Sequence, residues 1–220
     1  MGRARELLHG HVVDANDGII ATAGVLEGFA GAGASESTLF VASIAAMVAG
    51  ALALAGTKYV EQASERERQL ALIAEERAEL AARPDDEVAE LAAHYERKGL
   101  EPDLARRVAE QLSAADPLGA QLETEHGIQE PMRRSAPLVE ALAGAVAFTL
   151  GAAVPFVMVS VFPAALEAWA VAVAAALSLV VTAIVGARSG GTSIVRGVLR
   201  TLSIGVGTMA VSYVSGLLLF

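Results

Sequence analysis

The 220-residue chain has no cysteine, so disulfides and thiolate metal sites are both excluded. It has no surplus of basic residues either. The formal net charge is −9, which disfavours nucleic acid, since phosphate binding needs a basic face. An acidic, hydrated segment suits cations better. No nucleophile constellation, phosphate loop or Cys/His zinc pattern is present, so an enzyme is not the favoured reading. No cleavable signal peptide is expected, because the first apolar run contains His11, Asp14, Asn16 and Asp17. Between Met47 and Arg83 there is no proline, and the only two glycines there, Gly50 and Gly56, sit in the apolar part.

What is present is apolar and unevenly charged. Hydrophobic residues make up 54% of the chain, and the mean hydropathy is +0.51. Most acidic and basic side chains fall within residues 58–134, between two apolar flanks. Long apolar flanks of this kind argue for a membrane protein. The stretch from Met47 starts apolar and becomes charged at Lys58 without a helix stop. Ala, Leu, Glu, Arg and Gln, all strong helix formers, dominate it. One long helix is expected there, its first half in lipid and its second half in water.

Five spans follow in order: Val12 to about Ala34, Leu39 to Ala55, Val139 to about Phe162 (interrupted by Pro155), Ala165 to about Gly186, and Val195 to Leu219. Met1 to His11 reads as a short lead-in with Arg3 and Arg5. Ser35 or Ser37 is the expected N-cap of the second helix. Three short helices are expected in the charged segment. Pro84, Pro102 and Pro117 open them, and Gly99 and Gly127 end the first and third. The second has Leu104, Val108 and Leu112 on one face. The fold class is therefore all-α: a polytopic membrane protein of five transmembrane helices, with a small helical cytoplasmic insert between the second and third. The expected divisions are 1–62, 63–134 and 135–220. Arg188, Arg196 and Arg200 mark the loop between the fourth and fifth spans as cytoplasmic. The Gly31–Thr38 and Pro163–Glu167 connections lack Lys and Arg. The N-terminus and insert are then cytoplasmic and the C-terminus outside. The compact length suggests a bacterial plasma membrane.

Ionisable groups within a span are functional candidates, because burying them is costly. His11, Asp14 and Asp17 are spaced by three, on neighbouring turns of one helix face. They are either cation ligands or, for His11 and Asp14, groups at headgroup level facing water. Glu27 lies about 15 Å further along at helical rise. It is an exit site, a proton carrier or an acid near the far interface. Gly24 and Gly28 form a small-residue pair compatible with a dimer seam. In the insert, Glu76 and Glu79 form one Glu-xx-Glu pair and Glu87 and Glu90 another, joined by a tight Arg-Pro turn. Facing one another, with Glu125 following, these carboxylates would bind divalent cations through oxygen. The alternative is a solvated glutamate surface.

Three stretches together resemble the vacuolar iron transporter family over nearly the whole chain. They are Asn16-Asp17-Gly18-Ile-Ile-Ala-Thr-Ala-Gly24-Val; Met47 to Gly56 with Tyr59-Val and Ser64-Glu-Arg66-Glu; and the insert with its glutamates, Tyr95, Gly99, Leu104-Ala105 and Glu125-His-Gly127. Gly144 to Pro155 matches a further glycine- and proline-bearing stretch. The resemblance implies a homodimer of five-span subunits that exports ferrous iron, often manganese too, in exchange for protons. It implies Asp17 as the conduction-path carboxylate and Glu76, Glu79, Glu87, Glu90 and Glu125 as insert ligands. The chain departs from the family at Leu54 and at Thr57-Lys58-Tyr59, where a methionine and Gly-Glu-Tyr are usual. It departs again at Gln121 and Leu122, where methionines are usual. Lys58 is then expected to pair with Asp17, Asp14 or Glu61, and pairing with Asp17 would gate the path. Glu61 or Glu27 would replace the missing acid. Three functions compete: a divalent-metal/proton antiporter, a membrane metal sensor that does not conduct, and a structural dimer.

Overall fold

The computed structural model describes residues 2–219, and of residues 2–7, 164, 165 and 167 it describes the backbone only. Every described element is helical: α1 (Gly2–Gly31), α2 (Glu36–Ala82), α3 (Pro84–Arg97), α4 (Pro102–Ala115), α5 (Pro117–His126), α6 (Ala136–Val161), α7 (Ala164–Ser189) and α8 (Ile194–Leu219). The expected long helix is α2. It runs for 47 residues, about 70 Å at 1.5 Å per residue. Ser35 caps it, its Oγ accepting from the Thr38 amide at 3.3 Å. Two expectations are corrected. The lead-in before Val12 is already helix, since α1 starts at Gly2. The side chains of Arg3 and Arg5 lie outside the described residues. Pro155 does not interrupt α6, which runs through it unbroken for 26 residues. One missing amide bond in a long apolar helix is a local loss that neighbouring helices can offset.

Among the described residues, four segments are long and apolar enough to cross a membrane: α2, α6, residues 168–190 (most of α7 with its C-cap Gly190), and α8. At 30 residues α1 is also long enough, but Asp14, Asp17 and Glu27 lower its apolar character.

The chain divides into two compact units, one of Met1–Tyr59 with Leu138–Phe220, the other of Val60–Pro137. In the first, α1 packs on α7 and α8, which also pack on each other. Ile19, Ala23, Leu26, Val171, Leu179 and Met209 form its core. Glycines set how closely α1 approaches its neighbours. A Cβ on Gly18 would collide with the Phe148 carbonyl of α6, and one on Gly151 with the Ala15 carbonyl. This backbone-to-backbone approach is the physical reason for glycine after Asp17. Gly24 and Gly28 lie against Thr208 and Ser212 of α8. The small-residue pair thus meets α8 of the same chain. Leu150, Leu177, Leu199 and Leu218 remain exposed, as lipid-facing positions would.

In the second unit, Pro84, Pro102 and Pro117 each open a helix. Asp116 caps α5 by accepting from the Gly119 amide at 3.0 Å. Gly99 and Gly127 take positive φ (98° and 66°) just past α3 and α5, a backbone conformation costly for any residue with a Cβ. Ile73 of α2 packs with Leu122 and Ile128, and Leu91 and Ala92 of α3 pack with Ala109 of α4. Ala105 and Ala109 are buried, whereas Leu104 and Leu112 stay exposed. The small alanines allow α3 and α4 to come close, which the leucine stripe would prevent.

Candidate metal sites

The insert cluster is built on a helix–turn–helix. Ala82 ends α2, and Pro84 starts α3 after a single linking residue, Arg83. This turn brings Glu76 and Glu79 of α2 to Glu87 of α3, with one carboxylate oxygen from each within 4.8 Å of the others. A second group joins Glu76 to Glu125 and His126 of α5 at the same spacing. Glu76 is common to both groups and is only 2% exposed. One of its oxygens, Oε1, is buried without a hydrogen-bond partner, and the other lies 3.8 Å from His126 Nε2. Glu79 is half-buried, Glu87 buried, and Glu90 and Glu125 exposed at the rim.

Burial, and then the charges of Glu125, Glu87, Glu79 and Glu90, push the Glu76 carboxyl up to about 7. Burial and then the charges of Glu90, Glu79 and Glu125 also raise Glu87, partly opposed by a hydrogen bond from Gln121. Gln121 is itself buried, and its amide Nε2 donates to the Glu87 backbone carbonyl at 2.8 Å and to its Oε2 at 2.9 Å. Carboxylates gathered with no cation between them repel, and each costs more to ionise than in water. A divalent cation removes both penalties. The donor set of carboxylate oxygens and one imidazole nitrogen suits Mn²⁺ or Fe²⁺.

Two residues here escaped the sequence reading as site members. His126 stands beside Glu125 but outside the three-residue spacing of the glutamate pairs. Gln121 registered only as a lost methionine. Its role is to hold Glu87 in place.

The second cluster lies in the other unit. Asp14, 4% exposed, receives Lys58 Nζ at 3.0 Å on its Oδ2. His11 Nδ1 is 3.7 Å from the same oxygen. Lys58 reaches Asp14 across Gly144 of α6, where a Cβ would run into the lysine Cδ and Cε. Among the described residues Lys58 makes its ion pair with Asp14, and Asp17 feels its charge without pairing with it. Asp17 is exposed on α1. Three residues turn a helix by about 300°, so Asp14 and Asp17 diverge enough for one to face α6 and the other outward. Neighbouring Asn16 accepts a hydrogen bond from the Thr182 hydroxyl of α7, fixing this turn of α1. Glu61 is exposed. Glu27 is buried and stands apart from this cluster, about 15 Å beyond Asp17 along α1.

The model of the VIT family matches residues 8–217. The chain is 32% identical to a vacuolar iron transporter of Acanthamoeba castellanii over 220 residues, 96% of this chain and 78% of the relative. It is 29% identical to vacuolar iron transporter 1 of Eucalyptus grandis over 167 residues, 75% of this chain and 67% of that protein. Vacuolar iron transporter 1 of Arabidopsis thaliana is 28% identical over 167 residues, 75% of this chain and 66% of that protein.

Proposed function

The chain belongs to the VIT family, a family of transporters and not of enzymes, and we propose that it carries divalent metal cations, ferrous iron or manganese, across a cell membrane in exchange for protons. The observation that supports this most is Glu76, a buried carboxylate shared by two candidate metal groups in a chain with several membrane-spanning helices. The insert then takes metal through Glu76, Glu79, Glu87, Glu90, Glu125 and His126. Asp14, Asp17 and Lys58 line the cytoplasmic end of the path. Glu61 stands at its approach, and Glu27, a single carboxylate without further ligands, is a proton carrier of its far half.

In this reading α1 is the fifth span. Its exposed acid, Asp17, needs a facing wall, which a second copy of the chain supplies. The Lys and Arg distribution supports a cytoplasmic N-terminus and insert, an outside C-terminus and hence export. The Lys58–Asp14 ion pair favours a second reading, in which the protein binds metal in its insert and does not conduct. Uptake of Fe²⁺ and Mn²⁺ into proteoliposomes of the full chain separates the two. Metal entry that follows an imposed pH gradient supports the transporter. Metal binding without entry supports the sensor.

A further inference from the structure

Glu27 is a buried carboxylate whose Oε1 has no hydrogen-bond partner among the described residues. It borders a cavity of about 400 Å³ between α7 and α8. The rest of the wall is apolar or aromatic, with Trp169, Val206, Met209, Ala210 and Tyr213 the members that matter here. A charge buried without a partner is costly, so the carboxyl either holds a proton or gains from a cationic ligand that takes the proton's place. The wall excludes most candidates. A divalent metal needs several oxygen or nitrogen ligands, and this cavity offers one carboxylate. A neutral lipid chain would leave the carboxylate unanswered.

A monovalent ammonium on an apolar body meets each surface. Its cation reaches Glu27, and its body lies against Met209 and Val206. The faces of Trp169 and Tyr213 attract the positive charge. The volume is that of a pocket for a small organic molecule. We propose that this cavity is a binding site for amphiphilic organic ammonium ions, with Glu27 as the counter-charge. It does not depend on the metal-transport reading.

Trp169 is the only tryptophan of the chain, so its fluorescence reports occupancy directly. The full chain in dodecyl maltoside micelles is titrated at neutral pH with phenylbutylamine, and in parallel with the uncharged phenylbutanol. The amine should change Trp169 emission saturably, and the alcohol should bind roughly tenfold more weakly or not at all. Glu27→Gln should weaken amine binding by a similar factor. Ala210→Phe, which fills the cavity and keeps the carboxylate, should weaken it as well. Equal responses to amine and alcohol in the unaltered protein would overturn the proposal in favour of a lipid-chain groove, whether or not the variants fold. Amine binding unchanged in Glu27→Gln would overturn it too. So would Mn²⁺ displacing the amine at equal concentration, which would make the cavity a metal site.

Discussion

The two acidic clusters are opposites. Around Glu76, like charges converge and no lysine or arginine reaches them within ion-pair distance among the described residues. Around Asp14, an ammonium already answers the carboxylate at 3.0 Å. The first cluster gathers acids and an imidazole, whereas the second already contains an ammonium. In the proposed reading, a dication therefore enters the insert by displacing protons. To occupy the Asp14 site it must displace Lys58. The contrast is between several converging acids and one acid already paired with a lysine.

The largest effect should come from breaking the Lys58–Asp14 pair. Asp14→Asn leaves the Lys58 ammonium poorly compensated and should cost about 3 kcal/mol or somewhat less, since the lysine is partly exposed. Adding Lys58→Met removes the orphaned charge and should restore most of that loss. Thermal unfolding of the three proteins in micelles measures it. A single variant as stable as the unaltered chain would mean that the pair contributes little.

The Glu76 cluster should respond differently, through affinity and not through stability. Glu76→Gln keeps the shape and removes the ligand shared by both groups, so it should weaken Mn²⁺ binding roughly tenfold or more. Glu90→Gln, at the exposed rim, and His126→Ala should each cost less. Calorimetry on the full chain ranks them. If Glu90→Gln proves the most damaging, the metal sits at the rim and not on Glu76.

A smaller effect sharpens the same contrast through pH. The Glu76 carboxyl in the folded insert sits at about 7, above its ordinary 4.5. Its contribution to stability is therefore full below the ordinary value and is lost as pH rises through about 7. Metal-free protein should lose thermal stability between about pH 5 and about pH 8, with a flatter profile in Glu76→Gln. Mn²⁺ should reverse the loss at the upper end and release protons on binding near neutrality. An identical pH profile in Glu76→Gln would show that another group is responsible.

Much of the fold was legible because its signals are local. Pro84, Pro102 and Pro117 each fit the first turn of a helix. Gly99 and Gly127 each occupy a conformation that other residues avoid. The convergence of Glu76, Glu79 and Glu87 was legible for the same reason, since one short turn joins their helices. What failed depends on contacts between distant parts of the chain. The choice of Asp14 over Asp17 as the partner of Lys58 turns on Gly144, whose missing side chain opens the route for the lysine. Three-residue spacing alone places both acids near one face and does not rank them. Likewise Gly24 and Gly28 announce a close helix contact but not which helix supplies it, and here it is α8. The start of α1 is hidden in the sequence because its charged and glycine-bearing residues read as a lead-in, whereas helix continues through them.

The most direct test of the account is metal flux through Lys58→Glu beside the unaltered chain, in proteoliposomes under the same pH gradient. The variant turns the paired cluster into a second acidic one, with the introduced carboxylate and that of Asp14 both offering oxygens where an ammonium stood. The account predicts that the unaltered chain moves Fe²⁺ or Mn²⁺, and that Lys58→Glu moves it at roughly tenfold lower metal concentration, with binding at the insert unchanged. Equal flux in the two proteins, or none in either while the insert still binds metal, would contradict it.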